Sequence, residues 1–174
     1  MTWPMTLRSA LSDLRFAPAL VLAASVAILG AAFGFQYLGG LQPCVLCVYQ
    51  RYPYGIAIAL SLLALTLAVQ GERAGMVRAL IYLCGIAFLA GAGIAVFHVG
   101  VEQHWWQGTS ECGATSGGQS LEELKQMLER APVVRCDAVA WSLFGISMAG
   151  YNAVLSLLLA AFALIAPGRI AKAS

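Results

Sequence analysis

The chain has 174 residues, of which 60 % are hydrophobic and only 10 % charged, with a formal net charge of +2. So little charge excludes an ordinary soluble domain and places the chain in a membrane. The small positive balance gives no footprint for nucleic acid, and no period of about twenty to fifty residues marks a repeat architecture.

Four stretches lack Asp, Glu, Lys and Arg: Phe16 to Gln50, Tyr52 to Gly71, Ala79 to Val101 and Ala138 to Gly168. Each is long enough for a membrane-crossing helix, which takes about 20 apolar residues. The apolar run after Arg8 and Arg15 exceeds the roughly 7 to 15 residues of a secretory signal core, which predicts a retained first span. Gly39-Gly40 followed by Pro43 breaks the first stretch, so that span is expected to end near Leu38. Cys44 and Cys47 then fall in a short connection or in the first turn of the second helix. Pro53 suits that turn, where the donor it lacks has no partner in any case. The predicted spans run roughly 18–38, 48–69, 77–98 and 144–166. They predict one all-α domain over 1–174, a four-transmembrane-helix bundle. In the third span Cys84 reads as a small buried hydrophobe, and Gly85, Gly91 and Gly93 suit close helix packing.

Short loops orient the bundle. Arg8 and Arg15, Arg73 and Arg78, and Arg169 and Lys172 gather on one face, which is expected to be cytoplasmic with both termini. The other face, expected to be periplasmic, carries the connection of about 39–47 and the long loop of about 99–143, with Glu102, Glu111, Glu122, Glu123, Glu129 and Asp137 against Lys125, Arg130 and Arg135. Within that loop Ser120 and Glu123 form a capping box. Leu121, Leu124, Met127 and Leu128 follow at helical spacing until Pro132, which predicts a short amphipathic helix, either lying on the membrane surface or packed within the loop.

Cysteine usage carries the chemistry. Cys44, Cys47, Cys112 and Cys136 form an even set on the outward face, and disulfides persist in oxidising compartments. Four cysteines allow three connectivities; the local pair, Cys44 with Cys47, would leave Cys112 and Cys136 to close a loop. A Cys-x-x-Cys pair at the mouth of a membrane span suggests electron transfer into the lipid phase. Arg51 follows Cys47 by one helical turn, on the same face, where a guanidinium lowers a thiolate's pKa and stabilises negative charge beside it. His98 closes the third span near the same depth and is a candidate donor of a hydrogen bond or proton. His104, Trp105 and Trp106 read as interface residues. No metal is expected. Structural zinc takes four convergent ligands, and the chain has neither a second close Cys-x-x-Cys nor a His-x-x-x-His.

Cys44-Val45-Leu46-Cys47 with Gln50-Arg51, the distant Cys112 and Cys136, and Trp141-Ser142-Leu143-Phe144-Gly145 before the fourth span together resemble the DsbB family of bacterial inner-membrane disulfide-bond formation proteins. The resemblance implies a protein-dithiol:quinone oxidoreductase, sited in the bacterial inner membrane. Cys112 and Cys136 would meet a DsbA-like periplasmic thiol oxidase. Cys44 and Cys47 would pass electrons to a membrane quinone, ubiquinone or menaquinone. It further implies that Arg51 acts at the quinone and that Met148 lies close to it. Two rivals compete with that reading. A vitamin K epoxide reductase-like redox protein is expected to carry its Cys-x-x-Cys late in the chain, whereas this one is early. A non-enzymatic membrane protein stapled by disulfides would not need Arg51 after Cys47.

Overall fold

The computed structural model describes residues 14–71, 74–112 and 134–170. Four of its helices are long and apolar enough to cross a membrane. Helix α1 runs Phe16–Tyr37 and stops where Gly40 takes a φ of 69°. The Gly39 N–H caps back onto the Gly34 carbonyl at 3.1 Å. Cys44, in extended conformation, then caps a short helix α2, Val45–Tyr49, and Gln50 joins it to α3, Arg51–Val69. Pro53 sits in the first turn of α3 and costs no hydrogen bond there. Gly71, with φ 75°, turns the chain into α4, Ala74–Glu102, which has 29 residues. A tight antiparallel hairpin, β1 Ser142–Leu143 and β2 Ile146–Ser147, leads into α5, Met148–Ile170.

Helix boundaries shift by up to four residues from the sequence reading, two of them for evident local reasons. The last helix starts at Met148 instead of near 144, because Phe144 and Gly145 both adopt positive φ, 51° and 78°, and close the hairpin. That pair of left-handed residues is what a two-residue hairpin turn with the strand-matching twist requires. Helix α4 continues beyond 98 through His98 to Glu102, so the histidine lies inside a helix. The expected amphipathic helix from Ser120 onward lies outside the described residues.

Helix α4 packs against both α3 and α5, and α1 packs against α3. The core joins Phe88, Ile81 and Val77 to small residues such as Ala57, Ala64 and Ala163, all essentially inaccessible. Small residues allow the close approach that drives helix association in lipid, where no hydrophobic effect pulls helices together. A Cβ on Gly85 would come within 2.8 Å of Leu164, and one on Gly91 within 3.1 Å of Pro53. Among the described residues a Cβ on Gly93 would meet nothing within 4 Å, so the packing role expected for it is not found there. Val26, Ile56, Leu63, Ile86 and Leu158 point outward around the bundle. Cys84 is buried in this core, its thiol 3.8 Å from the Ala57 carbonyl.

Candidate active site: two cysteine pairs at one end of the bundle

The end of α1, the start of α2, the end of α4 and the start of α5 meet at one end of the bundle. Cys44, Cys112 and Cys136 are buried there in one apolar cluster with Leu46 and Val101, and Cys47 packs against it. Cys112 and Cys136 form a disulfide that closes a separation of 24 residues. Cys44 and Cys47 are thiols whose sulfurs lie 2.9 Å apart. Because Cys44 is the N-cap, its sulfur also accepts the Cys47 backbone N–H at 3.3 Å. The Cys47 thiol foremost, and His98 after it, hold the Cys44 thiol well below the usual thiol range, against the opposing effect of burial.

His98 is the hub of the polar groups here. Its Nε2 lies 3.5 Å from Cys44 Sγ and 3.9 Å from Glu102 Oε1. Its Nδ1 is 2.8 Å from the Gln50 side-chain nitrogen. Gln50 Oε1 accepts from Asn152 at 2.5 Å, and Asn152 Oδ1 accepts from the Tyr54 hydroxyl at 2.5 Å. Tyr54 also meets Ser156 Oγ at 2.8 Å. Side chains from α3, α4 and α5 are thereby joined through the bundle interior. Polar groups at such depth are costly unless paired, so this chain of bonds sets the rotation of three helices. Glu102 in turn accepts from the Ser147 hydroxyl at 2.5 Å.

On the other side of the cysteine pair a cleft of about 400 Å³ opens between α1, α3 and α5. Its wall is almost wholly apolar, with Ile28, Phe35 and Trp141 prominent, and Cys47, Arg51 and Met148 all face it. Arg51 donates to Gln36 Oε1 at 2.6 Å, and its guanidinium carbon stands 4.9 Å over the Phe33 ring. Both contacts come from α1, so the arginine is held across the cleft. His98 is not among the lining residues; it reaches Cys44 from behind. Of the sequence candidates, then, Cys47, Arg51 and Met148 meet at the cleft, and Cys44, Cys112, Cys136 and His98 meet at the cluster behind it.

Reading the sequence missed Asn152, Tyr54, Gln36 and Glu102 as site residues, and took Gln50 only as part of a dipeptide. Uncharged polar side chains inside apolar spans are the signal that points to them. His104 and Trp105 are exposed, in keeping with an interface. Trp106 stacks on Phe97 at 5.9 Å and donates to the Phe97 carbonyl at 2.9 Å. Its indole fills the place of the side chain that Gly100 lacks.

Two cysteine pairs in one cluster, one pair opening on an apolar cleft within a four-helix membrane bundle, define a membrane-embedded dithiol–disulfide protein. The chain belongs to the DsbB family: the model of disulfide bond formation protein DsbB matches residues 14–166. Disulfide bond formation protein B of Methylococcus capsulatus is 33 % identical, over 80 % of this chain and 85 % of that one. The protein of the same name from Aromatoleum aromaticum is 31 % identical over 83 % and 87 %. An uncharacterised protein of Rickettsia prowazekii is 30 % identical over 82 % and 81 %. No solved structure matches. The chain is therefore a multi-pass membrane oxidoreductase of disulfide bond formation.

Proposed function

We propose that the protein reoxidises a DsbA-like periplasmic thiol oxidase and passes the electrons to a membrane quinone, ubiquinone or menaquinone, with both termini cytoplasmic and the four paired cysteines periplasmic. One observation carries this reading: Cys47 and Arg51 open on the same apolar cleft while their neighbour Cys44 is packed against the Cys112–Cys136 disulfide. Volume and lining suit a lipid-soluble ring, since small-molecule sites typically measure about 300 to 1,000 Å³ and are mostly apolar with a few fixed polar groups. When bound, a quinone supplies a two-electron acceptor at the Cys47 side of the pair.

The residues act in sequence. A thiolate of the reduced partner attacks Cys112, a mixed disulfide forms, and Cys136 leaves with the electron pair of the broken bond. Cys136 then attacks Cys44 of the Cys44–Cys47 disulfide, and Cys47 leaves as a thiolate into the cleft. The backbone N–H at the helix start and the His98 ring stabilise negative charge on Cys44 when it later leaves in its turn. Arg51, fixed by Gln36 and Phe33, places a positive charge beside the cleft, where reduction builds negative charge. Met148 packs against the cleft from the start of α5. Thiol oxidases of the DsbA kind are known as strong oxidants, at about −120 mV, and roughly 30 mV corresponds to 1.4 kcal/mol for two electrons, so ordinary thiol pools cannot regenerate them. A lipid-phase oxidant meets that need.

The test mixes the purified protein with a reduced DsbA-like oxidase and either quinone, following the fall of quinone absorbance. Turnover with at least one of the two is the expected result. Absence of turnover with both, in protein whose Cys112–Cys136 pair still exchanges with the partner, removes the quinone as the electron acceptor.

A further inference from the structure

Spacing in the sequence supplies no zinc ligand set, but the fold brings three ligand atoms together from two helices and a connection, with a carboxylate next to the third. Cys44 Sγ, Cys47 Sγ and one ring nitrogen of His98 lie within 4.8 Å of one another. A carboxylate oxygen of Glu102 lies 3.9 Å from His98 Nε2, and both side chains are about 95 % buried, with relative exposures of 4 % and 5 %. Two thiols, an imidazole and a carboxylate are the ligand types of a tetrahedral zinc site. The Cys-x-x-Cys spacing is also that of a zinc ligand pair.

The outer contacts match as well. In metal sites the second nitrogen of a ligating histidine and the second oxygen of a ligating carboxylate are usually held by hydrogen bonds. Here Gln50 holds His98 Nδ1 at 2.8 Å, and its amide can present either oxygen or nitrogen to that ring. Ser147 donates to the far oxygen of Glu102 at 2.5 Å. Of the two supports Ser147 lies outside the apolar cleft, as do Glu102 and His98, whereas Gln50 also lines it.

We propose that the reduced Cys44–Cys47 dithiol, with His98 and Glu102, binds one thiophilic divalent cation of the zinc type, and that the disulfide form does not. Binding forms two metal–sulfur bonds, one metal–nitrogen bond and one metal–oxygen bond, and the two thiol protons leave to water. No electron moves. Zinc–sulfur bonds of about 2.3 Å at a tetrahedral angle set the sulfurs roughly 3.8 Å apart, wider than the 2.9 Å seen here. Loading therefore draws the sulfurs away from the separation at which they rejoin as a disulfide. The cation holds the pair reduced and stops electron transfer to the cleft, a consequence that rests on the proposed function, whereas metal affinity does not. Soft thiolates favour zinc over magnesium or calcium, which take oxygen ligands.

The experiment uses a Cys112→Ser/Cys136→Ser variant in detergent, so that the pair at the cleft and the core thiol of Cys84 are the only cysteines. Zn²⁺ is titrated into the reduced protein against a chromophoric chelator, and Co²⁺ into a parallel sample to read thiolate ligation from its charge-transfer absorption. One ion per chain, a thiolate–cobalt band, and loss of both after oxidation with diamide are expected. Ser147→Ala should weaken binding about tenfold to a hundredfold as an outer contact, and His98→Ala by more. Equal binding by the oxidised protein, no thiolate band, or unchanged affinity in His98→Ala overturns the site. In the wild-type protein, Zn²⁺ that binds without slowing quinone turnover overturns its inhibitory role. A metal-free protein that binds Zn²⁺ as expected yet turns over no quinone removes the proposed function and leaves the site standing.

Discussion

Arg51 shows how much one side chain is asked to do. It is held by one hydrogen bond to Gln36 and by the face of Phe33, both on α1, and so carries its charge across the cleft rather than out to lipid headgroups. Arg51→Met is expected to lower quinone affinity or turnover about tenfold to a hundredfold, the worth of one charge-assisted hydrogen bond of roughly 1.5 to 3 kcal/mol. Thiol exchange between the partner and Cys112 should be nearly unchanged. Arg51→Lys keeps the charge but loses the planar fork, and its defect should lie between. A quinone titration beside a single-turnover exchange assay reads both, and equal losses in the two assays indicate a disturbed bundle. Cysteine roles separate in the same way. Cys136→Ser should accumulate a mixed disulfide between Cys112 and the partner, because the thiol proposed to relay to Cys44 is gone. Cys84→Ser, in the bundle core 3.8 Å from the Ala57 carbonyl, should keep full turnover. Non-reducing gels and the quinone assay check the pair of variants.

Helices are where the sequence was most legible. A lack of charge over a long enough stretch, ended by Gly39-Gly40 or Gly71, is a strong signal because lipid tolerates little else. The start of α5 was less legible, since Phe144-Gly145 sits within an uncharged run and hydropathy does not distinguish a membrane-edge hairpin from a helix turn. Glycines show the same limit. Gly91 touches Pro53 across the α3–α4 contact, whereas Gly93, two residues on, faces open space, and nothing in their spacing alone ranks them. Gly91→Leu is therefore expected to destabilise the bundle by about 1 to 3 kcal/mol through overpacking, and Gly93→Leu by little. Thermal unfolding in detergent, followed by circular dichroism, compares the two.

Across the whole molecule, long-range polar pairing was the least legible part of the site. The link from Tyr54 through Asn152 and Gln50 to His98 joins three helices, and such partners are fixed by helix rotation, which a single sequence does not encode at readable distance. The cysteines and Arg51 could be named because their chemistry shows in residue type and spacing. Orientation belongs to this scale too. Arg and Lys in the short loops support the proposed orientation, with the Gly71 turn cytoplasmic and the cysteine-bearing end periplasmic. Reporter fusions after Gly71 and after Gly118 should give opposite signals, and matching signals would refute that orientation.

The length of α4 has a consequence of its own. At 1.5 Å per residue its 29 residues extend about 43 Å, against a hydrocarbon layer of about 30 Å. An average tilt near 20° removes only a few ångströms of that excess. His98 and Glu102 close α4 at the cysteine end, so with the excess length at that end bilayer thickness would decide how deep these two groups sit. Thick membranes draw them toward the acyl chains and pull the loop-borne disulfide against the headgroups; thin ones lift both clear. Reconstituted in lipids of increasing chain length, the protein should exchange thiols with its soluble partner progressively more slowly. Its rate would then report hydrophobic mismatch, measurable by stopped-flow mixing with the reduced oxidase.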